Sequence, residues 1–219
     1  LPFDSEGARQ LNKDIFEIEN SYIETVFKEE PLNPLNYVSL ADKFYQLMRY
    51  EKALLYYYRA LRVNPRCVTA LFGAGRCAFQ LSNYDLAYIA FSKLEKNVSP
   101  IKTNVATNSA DTELYKALID ASEIPDDKTV LNVILKDAYN YLGFIFTQKN
   151  NVQNAIKSYK NALLIANTFD KTAQIQNELA ELNYNIANLY EQYLRDYKNA
   201  EFYYLEALKN APNNQKYEY

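Results

Sequence analysis

The chain has 219 residues, of which 48% are hydrophobic and 23% charged, so it holds enough apolar material for one packed domain or one repeat array. Only four glycines and seven prolines occur, too few turn-forming residues for a β-sandwich or β-barrel. Histidine is absent, which excludes Ser-His-Asp and Cys-His catalysis and histidine-bound metal. Two cysteines cannot form a four-cysteine zinc site, and a net charge of −3 argues against nucleic-acid binding by the chain as a whole.

The ends of the chain and its cysteines give expectations about its location and its extent. The chain starts at Leu1 without a basic, apolar leader, and no apolar run is long enough to cross a membrane, so we expect neither a signal peptide nor membrane insertion. Along one helix Cys67 and Cys77 would lie about 15 Å apart, too far for a disulfide, which favours a cytoplasmic or nuclear location. Since the first residue is Leu1 and not methionine, we expect the sequence to be a piece of a longer protein.

The first predicted element is a helix over residues 8–29, within an N-terminal region 1–33. Its apolar stripe recurs at helical spacing and consists of Leu11, Ile15, Ile18, Ile23 and Phe27. This helix either caps the elements that follow or is half of a truncated repeat. The residues do not separate these alternatives.

Residues 34–100 contain two copies of one pattern. Ala53 and Ala87 are 34 residues apart, each three residues after a tyrosine and four residues before an aromatic side chain. A third copy over 136–169 places its alanine at Ala155, and a fourth over 170–219 places it at Ala200. Such a period is the signature of stacked helical repeats. The matching residues in the four copies are Tyr37, Leu40, Ala41, Phe44, Ala53, Tyr57, Ala60 and Pro65; Ala74, Gly75, Ala87 and Phe91; Tyr139, Leu142, Gly143, Phe146, Ala155, Tyr159 and Ala162; and Ile186, Ala187, Tyr190, Ala200, Tyr204, Ala207 and Pro212.

This pattern resembles the tetratricopeptide repeat (TPR) family. The resemblance implies an all-α fold, a right-handed superhelix or α-solenoid of antiparallel helix pairs. Small residues let the two helices of a pair approach, aromatic residues fill the gaps between repeats, and Pro65 and Pro212 follow the ends of second helices. The fragment Gly73-Ala74-Gly75 resembles part of a dinucleotide fingerprint but lies inside a repeat helix, so we expect no nucleotide site and no cofactor.

Two regions depart from the repeat. Residues 101–135 lack the pattern and are either a degenerate repeat or an insertion, with a helix over Ala110–Glu123, a turn at Pro125 and a new helix near Lys128. The fourth copy has a long first helix over Lys171–Leu194, and its Tyr190 and Ala200 are one residue further apart than in other copies. We therefore expect a longer turn between the helices of this copy.

By the resemblance, the concave face carries the partner-binding residues, which lie on the first helix of each repeat. Other outward positions on these helices are Val38, Gln46, Gln80, Thr147 and Glu191, and the aromatic residues Tyr56, Tyr58 and Tyr203 are candidates for outer-face contacts or self-association. The candidate partner-binding residues are Asp42, Tyr45, Phe72, Arg76, Phe79, Asn140, Phe144, Gln148, Tyr184, Asn188 and Gln192.

The predicted function is a non-catalytic protein–protein interaction module, a scaffold or adaptor within a larger intracellular complex that binds a peptide segment or helix. Two alternatives stay open: a helical-repeat RNA-binding module, and a regulatory or targeting domain of an enzyme encoded elsewhere in a longer chain. The Lys/Asn/Arg clamp that TPR co-chaperones use for chaperone C-terminal tails is missing, because Asp42 and Gly73 stand where its asparagines belong. We expect no metal site and no catalytic residue.

Overall fold

The computed structural model describes Gln10, Lys13, residues 16–21, Lys28, and residues 32–104 and 128–212, with backbone alone for 99–104 and 128. These residues contain α-helices and one π-helical turn but no strand. The chain divides into unit one, Leu1–Ile124, and unit two, Pro125–Tyr219. Among the described helices none is long and apolar enough to cross a bilayer.

The described part of unit one between residues 34 and 104 holds two helix pairs, whose helices are joined by short turns. Each helix packs against the next, and the two first helices, α1 and α3, also touch. Residues 16–21, helical as well, lie in the same unit. The helices are α1 Pro34–Gln46, α2 Tyr50–Val63, α3 Val68–Gln80 and α4 Tyr84–Asn104.

Unit two repeats this arrangement, so the predicted all-α class of antiparallel helix pairs is confirmed. Successive helices again pack against each other. The predicted helix Ala110–Glu123 and the turn at Pro125 lie outside the described residues. The elements are α5 Lys128–Gln148, α6 Val152–Ala166, α7 Ala173–Leu189, a π-helical turn Tyr190–Leu194 and α8 Tyr197–Asn210.

Side-chain caps fix where several helices begin. Asn33 Oδ1 accepts a hydrogen bond from the Leu35 amide at 3.0 Å, and Pro34 occupies the first turn, where its missing N–H costs nothing. Asp196 Oδ1 accepts from the Asn199 amide at 3.1 Å at the start of α8. Thr172 caps α7 in the same way.

Every turn inside a helix pair contains one residue with left-handed backbone conformation. These residues are Met48, Ser82, Asn150 and Arg195, with φ of 57°, 58°, 54° and 52°. In the first three turns the amide that follows bonds back five residues, as Arg49 does to Phe44, which is the Schellman closure of a helix end. None of the four is glycine, so each turn carries some backbone strain.

Replacing Met48 with glycine is expected to stabilise unit one. The left-handed conformation costs a side chain such as methionine about 1 kcal/mol, and Met48 is 73% exposed, so its removal forfeits little packing. We expect the free energy of unfolding in urea to rise by about 0.5–1 kcal/mol. The matched control is Asn150→Gly, because asparagine already tolerates this conformation. An equal gain in both variants would show that backbone strain is not the cause.

The fourth repeat has one extra residue between Tyr190 and Ala200, but this residue does not lengthen the turn between the two helices as predicted. Only Arg195 and Asp196 separate the π-helical turn from α8, so the turn is shorter than in the other repeats, not longer. The Asp196 amide bonds back six residues to Tyr190 instead of five. The extra residue is therefore wound into the π-helical turn, and the left-handed residue keeps its position relative to α8.

Small residues let the helices of each unit approach closely. The repeat alanines Ala41, Ala53, Ala87 and Ala155 are all fully buried. At Gly75 a methyl group would lie 2.5 Å from the Phe91 ring, and at Gly143 it would lie 2.6 Å from the Tyr159 ring. A methyl group at Gly73 would lie 2.2 Å from the Tyr57 ring, since that tyrosine reaches across from the preceding repeat.

Candidate functional site

The first helices of unit one, α1 and α3, hold a cation between two aromatic rings. The Arg76 guanidinium carbon lies 4.3 Å from the centroid of the Tyr45 ring and 4.9 Å from that of the Phe72 ring. Asp42 Oδ1 is 3.8 Å from Arg76 Nη2. Asp42 and Arg76 occupy equivalent positions in neighbouring repeats, so the repeat itself places them side by side. We call Asp42, Tyr45, Phe72 and Arg76 the arginine cradle.

A buried tyrosine of α2, Tyr57, contacts the acidic residue of the arginine cradle. The Tyr57 hydroxyl donates a hydrogen bond to Asp42 Oδ1, and the Tyr57 ring is fully buried. Burial and the charge of Asp42 raise the pKa of Tyr57 well above its usual value, so the hydroxyl keeps its proton. The carboxylate of Asp42 is therefore shared between Tyr57 and Arg76.

The guanidinium of the arginine cradle has one N–H group without a hydrogen-bond partner among the described residues. Arg76 Nε is buried and has no hydrogen-bond partner in the described part of the chain, while 27% of the side chain stays exposed. Burial lowers the pKa of Arg76, but the neighbouring Tyr57, Tyr45 and Asp42 outweigh it and the net shift is upward. At the rim, the Gln80 side chain hydrogen-bonds Tyr45, and Gln46 is exposed. The cradle therefore offers a rigid, partly desolvated cation beside exposed amide groups.

The first helices of unit two, α5 and α7, enclose a polar cavity of about 270 Å³. The buried Lys136 ammonium donates to Glu178 and lies 3.1 Å from Asp137 Oδ1. Burial lowers the pKa of Lys136, but these two carboxylates more than compensate and raise it overall. Asn140, which is exposed, also lines the cavity.

The last repeat has its own tyrosine contacts. The Tyr204 hydroxyl lies 2.9 Å from Asn188 Oδ1 and 2.7 Å from Glu191 Oε2, so the second helix again holds a polar group of the first helix in place. Lys160 Nζ donates to the Tyr190 hydroxyl at 3.0 Å. The rings of Tyr190 and Tyr203 stack with their centroids 5.8 Å apart.

Within the described residues, no group of His, Cys, Asp and Glu side chains could hold a metal ion. Both cysteines are buried as free thiols. Burial raises the pKa of Cys77 to about 12, so this thiol is unreactive at neutral pH. The side chains gathered on the first helices can contact a ligand through charge, amide hydrogen bonds and aromatic surface.

Family comparisons agree with this architecture. Models described as tetratricopeptide repeat match residues 38–100, 137–169 and 180–214, more than half of the chain. The chain belongs to the TPR family. A comparison with curated proteins finds no match. As a TPR protein, the chain has the architecture of a protein-interaction scaffold.

Solved structures with the same fold include other TPR proteins at low sequence identity. A crystal structure of MamA matches with a TM-score of 0.62 and 16% identity, covering 99% of both chains. A second crystal structure of MamA gives 0.61 and 16%, covering 97% of this chain and 91% of that chain. BtubC (BKLC) from P. vanneervenii gives 0.64 and 17%, covering 93% of this chain and 76% of that chain. At these identities the similarity shows the fold alone.

The TPR positions predicted to face a partner differ in exposure. Val38 and Phe72 are buried, and Phe72 instead forms one wall of the arginine cradle. Phe79 is half-buried against Tyr84, with ring centroids 5.4 Å apart. The remaining predicted residues form two groups. The exposed ones are Asn140, Phe144, Gln148 and Gln192, and the half-buried ones are Asp42, Tyr45, Arg76, Tyr184 and Asn188.

The prediction that Tyr56 forms an outer-face contact is wrong. Tyr56 is buried, its ring stacks on Phe44 at 5.5 Å, and its hydroxyl donates to Glu19 at 2.6 Å. Glu19 belongs to the N-terminal helical residues, which also place Ile18 against this core. Tyr58 is 38% exposed, whereas Tyr203 is half-buried between Tyr190 and the neighbouring Phe202.

Two residues that hold the polar groups of these faces in place are absent from the predicted site residues. The repeat pattern predicts Tyr57 as a packing aromatic and carries no information about its hydroxyl. Lys136 directly follows the apolar residues 133–135, and a lysine in such a position is a signal for a buried charge that needs an acidic partner. Its partner Glu178 lies one repeat later, beyond the reach of local pattern analysis.

Proposed function

We propose that this TPR protein is a non-catalytic scaffold or adaptor in a larger intracellular complex, and that the α1/α3 face of unit one binds a peptide segment. The arginine cradle is the observation that carries this proposal. Arginine and tyrosine are among the side chains that are enriched at the dominant positions of interfaces, and groups that neighbours hold rigid lose less entropy on binding. The buried free thiols fit a cytoplasmic or nuclear location.

The chemistry of the cradle favours a segment that presents carbonyl or carboxylate oxygens. Arg76 has one carboxylate close by, at 3.8 Å, and Tyr57 shares that carboxylate. An oxygen from a ligand would therefore add a charge-assisted hydrogen bond to the exposed part of a partly desolvated cation. The Gln46 and Gln80 amides can hydrogen-bond the backbone of an extended peptide on either side.

A displayed library of short random peptides tests this site. Peptides enriched on the wild type are expected to bind Arg76→Gln at least about tenfold more weakly, a loss of about 1.4 kcal/mol. Affinities would be measured by calorimetry on synthetic copies of the enriched peptides.

The matched control is Arg66→Gln, which makes the same change of charge at an exposed position of unit one. It is expected to bind the same peptides as tightly as the wild type. Circular dichroism would establish that both variants are folded. Equal affinities for Arg76→Gln and the wild type, or no enrichment at all, would contradict a peptide site at the cradle.

A further inference from the structure

A second surface of unit one is apolar and lies on the second helices. A groove of about 450 Å³ lies between α2 and α4 and is lined at its base by α3. Leu71 and Ala74 from α3 form its floor and are buried, whereas Ile89 on its wall is 60% exposed. This volume lies in the range of binding pockets that take small molecules or side-chain clusters, about 300–1,000 Å³. The residues of this outer groove are Tyr58, Leu61, Arg62, Leu71, Ala74, Leu86, Ile89, Ala90 and Lys93.

The charged residues of the outer groove are both cations. Arg62 lines it from α2 and Lys93 from α4, and no acidic side chain joins them. Both are exposed, and neither forms an ion pair with any residue that the structure describes. An apolar surface with two unpaired cations is complementary to an apolar segment that carries acidic residues.

The geometry of the outer groove selects a helical occupant. Leu86, Ile89, Ala90 and Lys93 follow the i, i+3, i+4, i+7 spacing, so the wall on α4 extends over about two helical turns, or roughly 10 Å. The walls and floor are helices, whose backbone groups already bond to each other. An extended peptide would leave its own backbone groups without partners in this groove, whereas a helix satisfies them internally.

We propose that the outer groove binds an amphipathic helix of another protein, in which apolar residues spaced over two turns are flanked by glutamate or aspartate. This site is separate from the arginine cradle, which lies on the first helices. The apolar residues of the helix pack over Leu71, Leu86 and Ile89. Its acidic residues pair with Arg62 and Lys93.

Three fluorescein-labelled helical peptides test the proposal on the full chain. They share an alanine-based sequence with three leucines at i, i+4 and i+7; the first has flanking glutamates, the second has lysines instead, and the third keeps the glutamates but has serines for leucines. By fluorescence anisotropy, the first is expected to bind saturably and the other two at least about tenfold more weakly. No saturable binding, or equal binding of the glutamate and lysine peptides, would overturn the proposal.

Charge reversal provides the matched comparison. Arg62→Glu/Lys93→Glu is expected to invert the preference so that the lysine peptide binds more tightly. Arg66→Glu/Lys96→Glu makes the same net change at exposed positions outside the outer groove and is expected to leave the preference unchanged. Arg76→Gln is also expected to bind the glutamate peptide normally, which distinguishes this site from the arginine cradle.

Two other possible occupants of the outer groove, another part of this chain and a second copy of it, would be distinguished by thiol labelling and sedimentation. Ile89→Cys introduces an exposed thiol, and since both native cysteines are buried, thiol-labelling reagents are expected to modify position 89 rapidly. Protection of this thiol in the monomer would show that another part of the chain covers the groove. A dimer in sedimentation that Ile89→Asp dissociates would identify a second copy as the occupant. Either result would overturn the proposal.

Discussion

Gly73→Val is expected to be among the most destabilising single substitutions in unit one. A methyl group at this position would already lie 2.2 Å from two atoms of the Tyr57 ring. The ring cannot turn aside, because it is fully buried and its hydroxyl is bonded to Asp42. Overpacking of this kind costs about 1–3 kcal/mol, and the second branch of valine adds to it, so we expect a loss of about 3 kcal/mol in urea unfolding.

A double-mutant cycle separates this clash from a general effect on the helix. Tyr57→Ala removes the ring that valine would strike, so Gly73→Val is expected to cost at least about 1 kcal/mol less in that background than in the wild type. Ser39→Val makes a similar change at the equivalent, exposed position of α1 and is expected to cost only the helix propensity difference, below about 1 kcal/mol. Additive costs in the cycle would contradict the predicted contact.

Unit one is expected to lose stability steeply above about pH 10. Burial, together with the hydrogen bond and charge of Glu19, raises the pKa of Tyr56 to about 12, and the pKa of Tyr57 is raised further. In the unfolded chain these hydroxyls lose their protons near pH 10, while the folded chain keeps them. The unfolded state is thus favoured as pH rises, by about 1.4 kcal/mol per pH unit for each tyrosine.

The urea midpoint at increasing pH, followed by circular dichroism, measures this loss. Burial also raises the pKa of Cys77 to about 12, so the decline is expected to begin near pH 9, where an unfolded thiol ionises. Tyr56→Phe/Tyr57→Phe is expected to be less stable at neutral pH but to show a flatter decline above pH 10. Tyr197→Phe, at a side chain that is 61% exposed, is expected to follow the wild type. Parallel curves for the wild type and the double variant would assign the loss to other groups.

The repeat pattern predicts the helix pairs because it records packing within each pair. The alanines and glycines at fixed spacing mark where two helices touch, and the structure places Gly75 against Phe91 and Gly143 against Tyr159. The pattern did not predict the π-helical turn, because an extra residue between Tyr190 and Ala200 can be placed in a turn or in a helix with the same sequence spacing.

The candidate site was predicted less completely, since its contacts cross between repeats. The positions of Asp42, Tyr45 and Arg76 follow from the first-helix pattern, and the structure brings these three side chains together. Phe72 was assigned to the same face, but the arginine covers it. The pattern does not predict the position of Tyr56, because its hydrogen-bond acceptor Glu19 lies outside the repeats and has no fixed spacing to them.

Single-residue insertions are expected to differ in cost on the two sides of the left-handed residue in each turn. In all four turns this residue lies at the same distance ahead of the second helix, including the repeat with the π-helical turn. A single-codon insertion near the end of a first helix can therefore be absorbed without moving the second helix, and selection would tolerate it. The same insertion inside α8, between Ala200 and Tyr204, would rotate Tyr204 and Ala207 by about 100° relative to Ala200 and expose buried residues to solvent, so single-residue length changes are expected to cost least on the first side of each turn.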